Sequence, residues 1–210
     1  TANSGTNHIH GGRRGFASVV WKVHAVRRKL DRTSVALTYQ SRDGEEGFPG
    51  NLRATVTFTL TAGNELLIDY AATTDATTVV NLTNHGYFNL AGYGDVHDHL
   101  LWLAARCYTL ADGQLIPTGE IAPVAGTPLD FTQPTAIGAR IDQLKPALNG
   151  YDHNFVLDPD GRSLSLVARV TDRAYFWTHY YDDRVTQTVS APHFSGRHTL
   201  RHGDFACRAH

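Results

Sequence analysis

The feature that most constrains the fold is a pair of alternating segments joined by a short turn. In residues 54–60 (ATVTFTL) apolar and polar side chains alternate almost strictly, which is the period of a β-strand with one buried face. The turn Ala62-Gly63-Asn64 follows, and Leu66–Ala71 can pair back on the first segment. Together they predict an antiparallel β-hairpin.

Other strand-like segments recur along the chain between turn signals such as Asp43-Gly44 and Asp112-Gly113. They cover residues 16–26, 35–39, 77–83, 100–104, 106–110, 164–170 and 174–181. Helical periodicity is scarce, and residues 137–144 are the best candidate for a short helix. The pattern predicts an all-β sandwich or barrel, for which 210 residues provide one sizeable domain or, less comfortably, two small ones.

The composition changes towards the end of the chain. No glutamate follows Glu120, no lysine follows Lys145, and arginine and histidine accumulate over residues 197–210. From about Asp182 onward no strand pattern is recognisable. We therefore expect a domain over residues 1–172 and a divergent, exposed and poorly ordered tail over 173–210. A metal-binding histidine tract is the alternative, although its spacings suit no defined metal site.

Charge and composition exclude several classes of function. A net charge of −1 and a pI near 6.8 give no reason to expect nucleic acid or an anionic membrane as partner. No apolar run approaches the roughly 18 residues of a transmembrane helix. Cys107 and Cys207 stand alone, which favours a reducing, cytoplasmic setting. Because methionine is absent, we expect a piece of a longer protein, with any signal peptide upstream.

Three segments combine asparagine, glycine and an ionisable side chain. They are residues 7–12 (NHIHGG), 81–90 (NLTNHGYFNL) and 149–155 (NGYDHNF). A glycine directly after His10 or His85, or two residues before Asp152, allows a ligand to approach closely, and a histidine exchanges protons near neutral pH. These segments are the candidates for a shared binding cleft.

Simpler interpretations of the same residues remain open. His10 can be an exposed or structural loop residue, His85 a buried histidine satisfied by hydrogen bonds, and Asp152 a turn cap. The sequon at residues 81–83 is discounted as a glycosylation site because a buried strand is expected there. The pairs at 8–10 (HIH) and 97–99 (HDH) place two imidazoles on one strand face, but no third metal ligand is identifiable.

The same motifs, in the same order, resemble those of the aldose 1-epimerases, also called galactose mutarotases. The segment Asn7-x-x-His10-Gly11-Gly12 resembles the opening motif of that family. The later blocks are residues 43–50 (DGEEGFPG), 81–92 (NLTNHGYFNLAG), 115–120 (LIPTGE) and 150–155 (GYDHNF). The resemblance extends over about residues 7–170. It implies an antiparallel β-sandwich of the galactose mutarotase-like supersandwich type, incomplete in this chain, with a sugar cleft on one sheet.

The resemblance also implies a reaction and a set of roles. The family interconverts the α and β anomers of aldohexoses such as galactose and glucose. By resemblance, His85 is the general acid that protonates the ring oxygen, and His10 binds a hydroxyl or supports the developing charge. Asp152 and Asn84 bind the sugar. Neither a metal nor an organic cofactor is implied, and the expected partner is a monosaccharide.

Two elements of the family pattern have no counterpart in this sequence. An Asn-Arg pair ahead of the His10 block would lie upstream of Thr1, and the general-base glutamate belongs to C-terminal strands of the family. We therefore expect weak activity or none, because losing a general base costs about 10²–10⁴ in rate. The alternatives are a non-catalytic sugar-binding or sugar-sensing module, an enzyme for phosphorylated hexoses that uses Arg13 and Arg14, and a non-functional fragment.

Overall fold

The structure is a computed structural model that describes residues 2–87, 89–156, 164–170, 173–178, 187–189 and 194–201. The chain forms two compact units. The first comprises Thr1–Asn84 and Arg184–His198, and the second comprises His85–Asp183 and Thr199–His210. In the described residues the regular structure is strands and short 3-10 turns. The domain boundary predicted at residue 172 stays a prediction.

The first unit begins with consecutive strands that each pair antiparallel with the next. These are β1 (Lys22–Arg28), β2 (Arg32–Ser41), β3 (Leu52–Thr61) and β4 (Glu65–Thr74). The short strand β5 (Thr78–Val80) pairs antiparallel with β13 (Gln187–Val189). The predicted hairpin is confirmed, because Leu60 pairs with Leu66 and Asn64 adopts a left-handed φ of 58° in the turn.

Alternation in these strands builds the core of the first unit. Ile68, Tyr70 and Ala72 are buried on one face of β4, as the period of two requires. Ala72 lies opposite Ala54 of β3, and both are buried in a cluster with Leu52 and Val80. The apolar side chains of Phe16, Trp21 and Leu82 pack against this cluster.

The second unit contains two sets of antiparallel pairs. In one set β11 (Leu164–Val170) pairs with both β6 (Leu100–Leu103) and β12 (Arg173–Thr178). Strand β6 also pairs with β9 (Thr135–Ala136), and β12 pairs with residues 199–201 of β14 (Phe194–Arg201). In the other set β7 (Cys107–Ala111) pairs with β8 (Pro117–Pro123) and β10 (Phe155–Val156).

The core of the second unit lies where these strands meet the loop before β9. Leu103, Ala105 and Phe131 are buried together, and Leu101, Tyr151 and Phe155 pack against them. The amide of Leu103 donates a hydrogen bond of 2.8 Å to the carbonyl oxygen of Phe131. This core therefore supports the chain immediately around Asp152.

The structure differs from the sequence-based prediction at several elements. Phe16–Ser18 is a 3-10 turn, so the first strand begins at Lys22 instead of residue 16. Residues 81–87 are not a buried strand; strand β5 ends at Val80 and most of the segment is exposed. Strands β13 and β14 form within residues 182–210, where no strand was predicted.

The predicted helix over residues 137–144 is instead two 3-10 turns, Ile137–Ala139 and Ile141–Leu144. They are separated at Arg140, whose φ of −133° and ψ of 7° lie outside the helical region. The guanidinium of Arg140 donates to the carbonyl oxygen of Asp130 and lies 5.4 Å from the ring centroid of Phe131. These tertiary contacts oppose a continuous helix at this point.

Candidate functional site

The segment Asn7–Gly12, here called the His10 loop, is held by the side chain of Asn3. The amide nitrogen of Asn3 donates to the carbonyl oxygens of Ile9 and Gly12, each at 2.9 Å. Its amide oxygen accepts from the backbone N–H of Ile9 at 2.8 Å. The side chain of His10 is exposed on this loop. An asparagine outside the motif therefore holds the backbone that carries His10.

The other histidine of this loop has a packing role. The ring of His8 lies edge-on to that of Phe48, with centroids 5.1 Å apart. Phe48 belongs to the block 43–50 that sequence analysis singled out separately. Two motifs distant along the chain are therefore in contact within the first unit.

His85 lies on an exposed stretch of chain. Leu82 packs against the core of the first unit, whereas Asn84 and His85 are exposed. The rings of His85 and Tyr87 have centroids 5.3 Å apart, and Tyr87 is 91% exposed. The interpretation of His85 as a buried histidine is therefore wrong. Asn81 is also exposed, so burial does not exclude its sequon as was expected from the sequence.

Asp152 owes its exposure to strict alternation along one extended segment. Tyr151, His153 and Phe155 are half-buried, whereas Asp152 and Asn154 between them are exposed. The hydroxyl of Tyr151 donates to the carbonyl oxygen of Pro128 at 3.4 Å. The inner residues thus anchor the segment and present the carboxylate outward.

Backbone contacts fix the other end of the same segment. The amide of Thr109 on β7 donates to the carbonyl oxygen of Asn154 at 3.0 Å. Phe155 then pairs with Tyr108, so the segment continues into the β7–β10 pair. Asp152 is therefore held on the strand side as well as by Tyr151.

His153 is a residue of this segment to which sequence analysis gave no role. Burial lowers the pKa of its imidazole, and the Asp152 carboxylate opposes that shift. Its Nδ1 accepts a hydrogen bond of 3.2 Å from the backbone N–H of Asp152. An acceptor at Nδ1 places the proton of the neutral ring on Nε2. His153 therefore orients the Asp152 backbone. In the sequence, only the alternation of buried and exposed positions could have indicated this role.

His99 holds the end of the motif that contains His85. Its side chain is 2% exposed, and its Nε2 accepts a hydrogen bond of 3.1 Å from the backbone N–H of Leu90. Burial lowers the pKa of this imidazole, while the carboxylates of Asp98 and Asp95 oppose the shift. A neutral imidazole is required here because only the neutral ring has a nitrogen that can accept.

A metal site needs several ligand side chains that converge on one point. Within the described ranges no group of three or more His, Cys, Asp or Glu side chains is arranged to hold a metal ion. The side chains of the predicted histidine tract at 197–210 lie outside the described part of the chain. None of the helices in the described residues has the length and apolar character needed to span a membrane.

Comparison with known proteins decides the family. A family model described as aldose 1-epimerase matches residues 1–207. The chain belongs to the aldose 1-epimerase family. The match includes the motifs of His10, His85 and Asp152 and also the segment after residue 172.

Individual family members agree with this assignment. The chain is 45% identical to the galactose mutarotase of Sus scrofa over 157 residues, which are 74% of this chain and 44% of that protein. It is 39% identical to the aldose 1-epimerase of Escherichia coli (strain K12) over 171 residues, which are 80% of this chain and 48% of that protein. This aldose 1-epimerase family chain thus spans about half the length of the relatives it matches.

Two solved structures confirm the predicted fold class. The galactose 1-epimerase from Lactobacillus acidophilus NCFM superposes with a TM-score of 0.79 at 24% identity, covering 96% of this chain and 71% of that one. An aldose epimerase homologue from C. elegans gives a TM-score of 0.78 at 21% identity, covering 95% and 73%. The prediction of an all-β, antiparallel, galactose mutarotase-like sandwich is therefore confirmed.

The structure places the family's motif side chains in both units. His10 and Asn84 lie in the first unit, and His85 and Asp152 lie in the second. All four side chains are exposed. Their convergence on one sugar stays a prediction.

Proposed function

We propose that this chain binds an aldohexose, such as galactose or glucose, and interconverts its α and β anomers. Membership of the aldose 1-epimerase family supports the class of reaction. The observation that carries the proposal is the exposure of His10, His85 and Asp152, each within a family motif. Exposed side chains at these positions are accessible to a sugar.

The chemistry requires two proton transfers and a fixed sugar pose. Protonated His85 donates its proton to the ring oxygen while a base takes the proton of the C1 hydroxyl. The bond between C1 and the ring oxygen breaks, and C1 becomes the carbonyl carbon of the open-chain aldehyde. Rotation about the C1–C2 bond and closure with reversed proton transfers give the other anomer. His10, Asn84 and Asp152 hold the hydroxyl groups.

We infer a low rate for this chain, because none of its residues matches the general base that the family resemblance implies. No glutamate follows Glu120, whereas the family resemblance assigns the general base to a glutamate of the C-terminal strands. In this proposal water accepts the C1 proton, and the loss of a positioned base lowers the rate by about 10²–10⁴. We expect a slow catalyst in which acid catalysis by His85 remains.

Polarimetry on freshly dissolved α-D-galactose tests this proposal. We expect the wild-type chain to accelerate mutarotation weakly over a protein-free blank of the same buffer, and added acetate, a small base that also catalyses mutarotation in free solution, to increase this excess rate further. His85→Asn is expected to remove both effects, because asparagine cannot donate a proton to the ring oxygen. His24→Asn on exposed strand β1 is the matched control and is expected to behave as wild type.

Two results would contradict this mechanism. A wild-type rate comparable to that of an intact epimerase would exclude the proposed impairment. Equal rates for wild type and His85→Asn would exclude His85 as the acid. α-D-Glucose run in parallel compares the two expected substrates.

The absence of a glutamate after Glu120 also favours a second function, a sugar-binding or sugar-sensing module. Such a module needs His10, His85 and Asp152 to hold hydroxyl groups and needs no base. Calorimetric binding of galactose without mutarotation faster than in a protein-free blank, with or without acetate, would establish it. Comparison with galactose 6-phosphate tests the role of Arg13 and Arg14 in the phosphorylated-hexose alternative.

We further propose a cytoplasmic location. Support comes from Cys107, a half-buried thiol that has no disulfide partner among the described residues, since reducing compartments keep such thiols unpaired. Fractionation of source cells with an antibody against the chain tests this location. Recovery in the secreted fraction would contradict it.

A further inference from the structure

The backbone of the His10 loop has an unusual conformation. Three successive residues have positive φ angles, 53° at His10, 82° at Gly11 and 96° at Gly12. Glycine adopts this region readily, but the Cβ of a histidine is crowded there. Such a conformation persists only where surrounding contacts hold it in place.

Glu46 provides one of these contacts from outside the loop. Its Oε2 accepts a hydrogen bond of 3.1 Å from the backbone N–H of Arg13, and its Oε1 accepts one of 3.0 Å from Arg14. One carboxylate therefore binds the two successive amides that follow Gly12. Hydrogen bonds to a charged acceptor are stronger than those between neutral groups.

The absence of a side chain at Gly12 makes room for this contact. A Cβ built on Gly12 would lie 2.3 Å from Oε2 and 2.9 Å from Cγ of Glu46. Any other residue at position 12 would therefore displace the carboxylate. The glycine of the motif is explained by close approach of Glu46 as well as by its φ angle.

Glu46 is itself presented by a fixed turn. Its neighbour Glu45 accepts a hydrogen bond of 2.7 Å from the hydroxyl of Tyr39 on β2. The amide of Arg42 donates to the second oxygen of Glu45 at 3.2 Å, and the amide of Gly50 donates to Asp43 at 2.6 Å. The turn that carries Glu46 is thus tied to the sheet of the first unit.

We propose that Glu46 is a positioning residue that sets the conformation of the His10 loop and so orients His10 towards a sugar. The inference rests on the sugar-binding role of His10 proposed above. Glu46 acts through the backbone of Arg13 and Arg14 and touches no substrate in this scheme. It physically connects two family motifs, residues 7–12 and 43–50.

Amide hydrogen exchange on Glu46→Gln tests the anchoring without any sugar. The amide nitrogen of glutamine cannot accept, so at least one of the two backbone amides loses its partner. We expect exchange at Arg13 or Arg14 to become faster by about ten- to a hundredfold, the equivalent of about 1.5–3 kcal/mol for a charge-assisted hydrogen bond. Glu120→Gln, at an exposed position on β8, is the matched control with no expected change.

A galactose titration followed by the imidazole NMR signal of His10 tests the positioning. In wild type we expect the signal to shift on addition of galactose. In Glu46→Gln we expect half-saturation at about tenfold higher galactose, whereas Glu120→Gln should match wild type. A variant that is only less stable, but still folded and cooperatively melting, would keep the wild-type half-saturation concentration.

The two measurements separate the possible failures. Unchanged exchange in Glu46→Gln overturns the anchoring, and faster exchange with an unchanged galactose response overturns the positioning. If the His10 signal of wild type does not shift on addition of galactose, the proposed function fails. The amide exchange rates, and the His10 signal of wild type and Glu46→Gln without sugar, still decide whether Glu46 sets the conformation of the loop. Glu46→Asp keeps the charge but withdraws the carboxylate from the two amides, and it replaces Glu46→Gln if that variant does not fold.

Discussion

Replacing Phe131 tests the packing beneath the segment that carries Asp152. Phe131 is 1% exposed and shares a core with Leu103 and Ala105. Its ring lies edge-on to that of Tyr151, with centroids 5.1 Å apart, and Tyr151 immediately precedes Asp152. Removing the ring therefore deprives both the core and the Asp152 segment of a contact.

The expected loss can be worked out from these contacts. Truncating a buried phenylalanine to alanine costs about 3–5 kcal/mol, since apolar burial is lost and a cavity remains. The edge-on aromatic pair contributes about 0.5–1.5 kcal/mol of such a loss. The hydrogen bond from Leu103 to the carbonyl oxygen of Phe131 is made by backbone and survives. We expect Phe131→Ala to lower the free energy of unfolding by about 4 kcal/mol.

Urea-induced unfolding followed by far-UV circular dichroism measures this change. Phe131→Leu keeps most of the apolar volume and is expected to cost about 1.5 kcal/mol or less. Tyr93→Ala is the control; Tyr93 is 70% exposed, and we expect a change within about 0.5 kcal/mol. A loss below about 1 kcal/mol for Phe131→Ala, or an equal loss for Tyr93→Ala, would refute the assignment of Phe131 to a packed core.

Two further changes address individual contacts. Burial lowers the folded-state pKa of His99 below its ordinary 6.5, so near and below pH 6.5 the unfolded chain binds more protons than the folded one. The stability that neutral His99 contributes is therefore fully present above pH 6.5 and is lost as the pH falls below 6.5. Unfolding measured between pH 8 and 5 should therefore show a smaller loss for His99→Gln, which does not titrate; identical pH profiles would exclude the effect. At Gly50, with a φ of 81°, a Cβ would lie 2.9 Å from the side-chain oxygen of Thr74, so Gly50→Ala should cost about 1–3 kcal/mol in thermal unfolding. Gly113→Ala, where a Cβ meets open space, should cost less, and equal costs would argue against the steric explanation.

The predictable parts of the fold are those in which the local sequence pattern favours the same structure that pairing with neighbouring strands requires. The hairpin of β3 and β4 followed from its alternation, and β11 has the same limits as the predicted segment 164–170. Strand β8 begins at a proline and contains Gly119, residues that are depleted in strands, so pairing with β7 and not local preference explains it. Residues 81–87 have strand-like composition, yet they leave the regular structure after β5.

For the candidate site, the motifs predicted the exposed residues, but they did not predict the contacts that hold those residues in place. His10, His85 and Asp152 followed from glycine-flanked motifs, and all are exposed. The two hydrogen bonds that Glu46 accepts from Arg13 and Arg14 span 33 and 32 positions along the chain, and no local pattern signals a contact of that range. His153 was hidden for another reason, since its role depends on which side of an extended segment is buried.

The alternation of residues 151–155 has a consequence for how this segment tolerates change. Substitutions at Tyr151 or Phe155 affect the packing against the core, whereas substitutions at Asp152 affect only the exposed carboxylate. Defects of packing and defects of the carboxylate are therefore separable. Insertion or deletion of a single residue is different, because it exchanges the two faces of an extended segment. The carboxylate would turn inward and an aromatic ring would turn to water, so variation in length is far more damaging here than variation in identity.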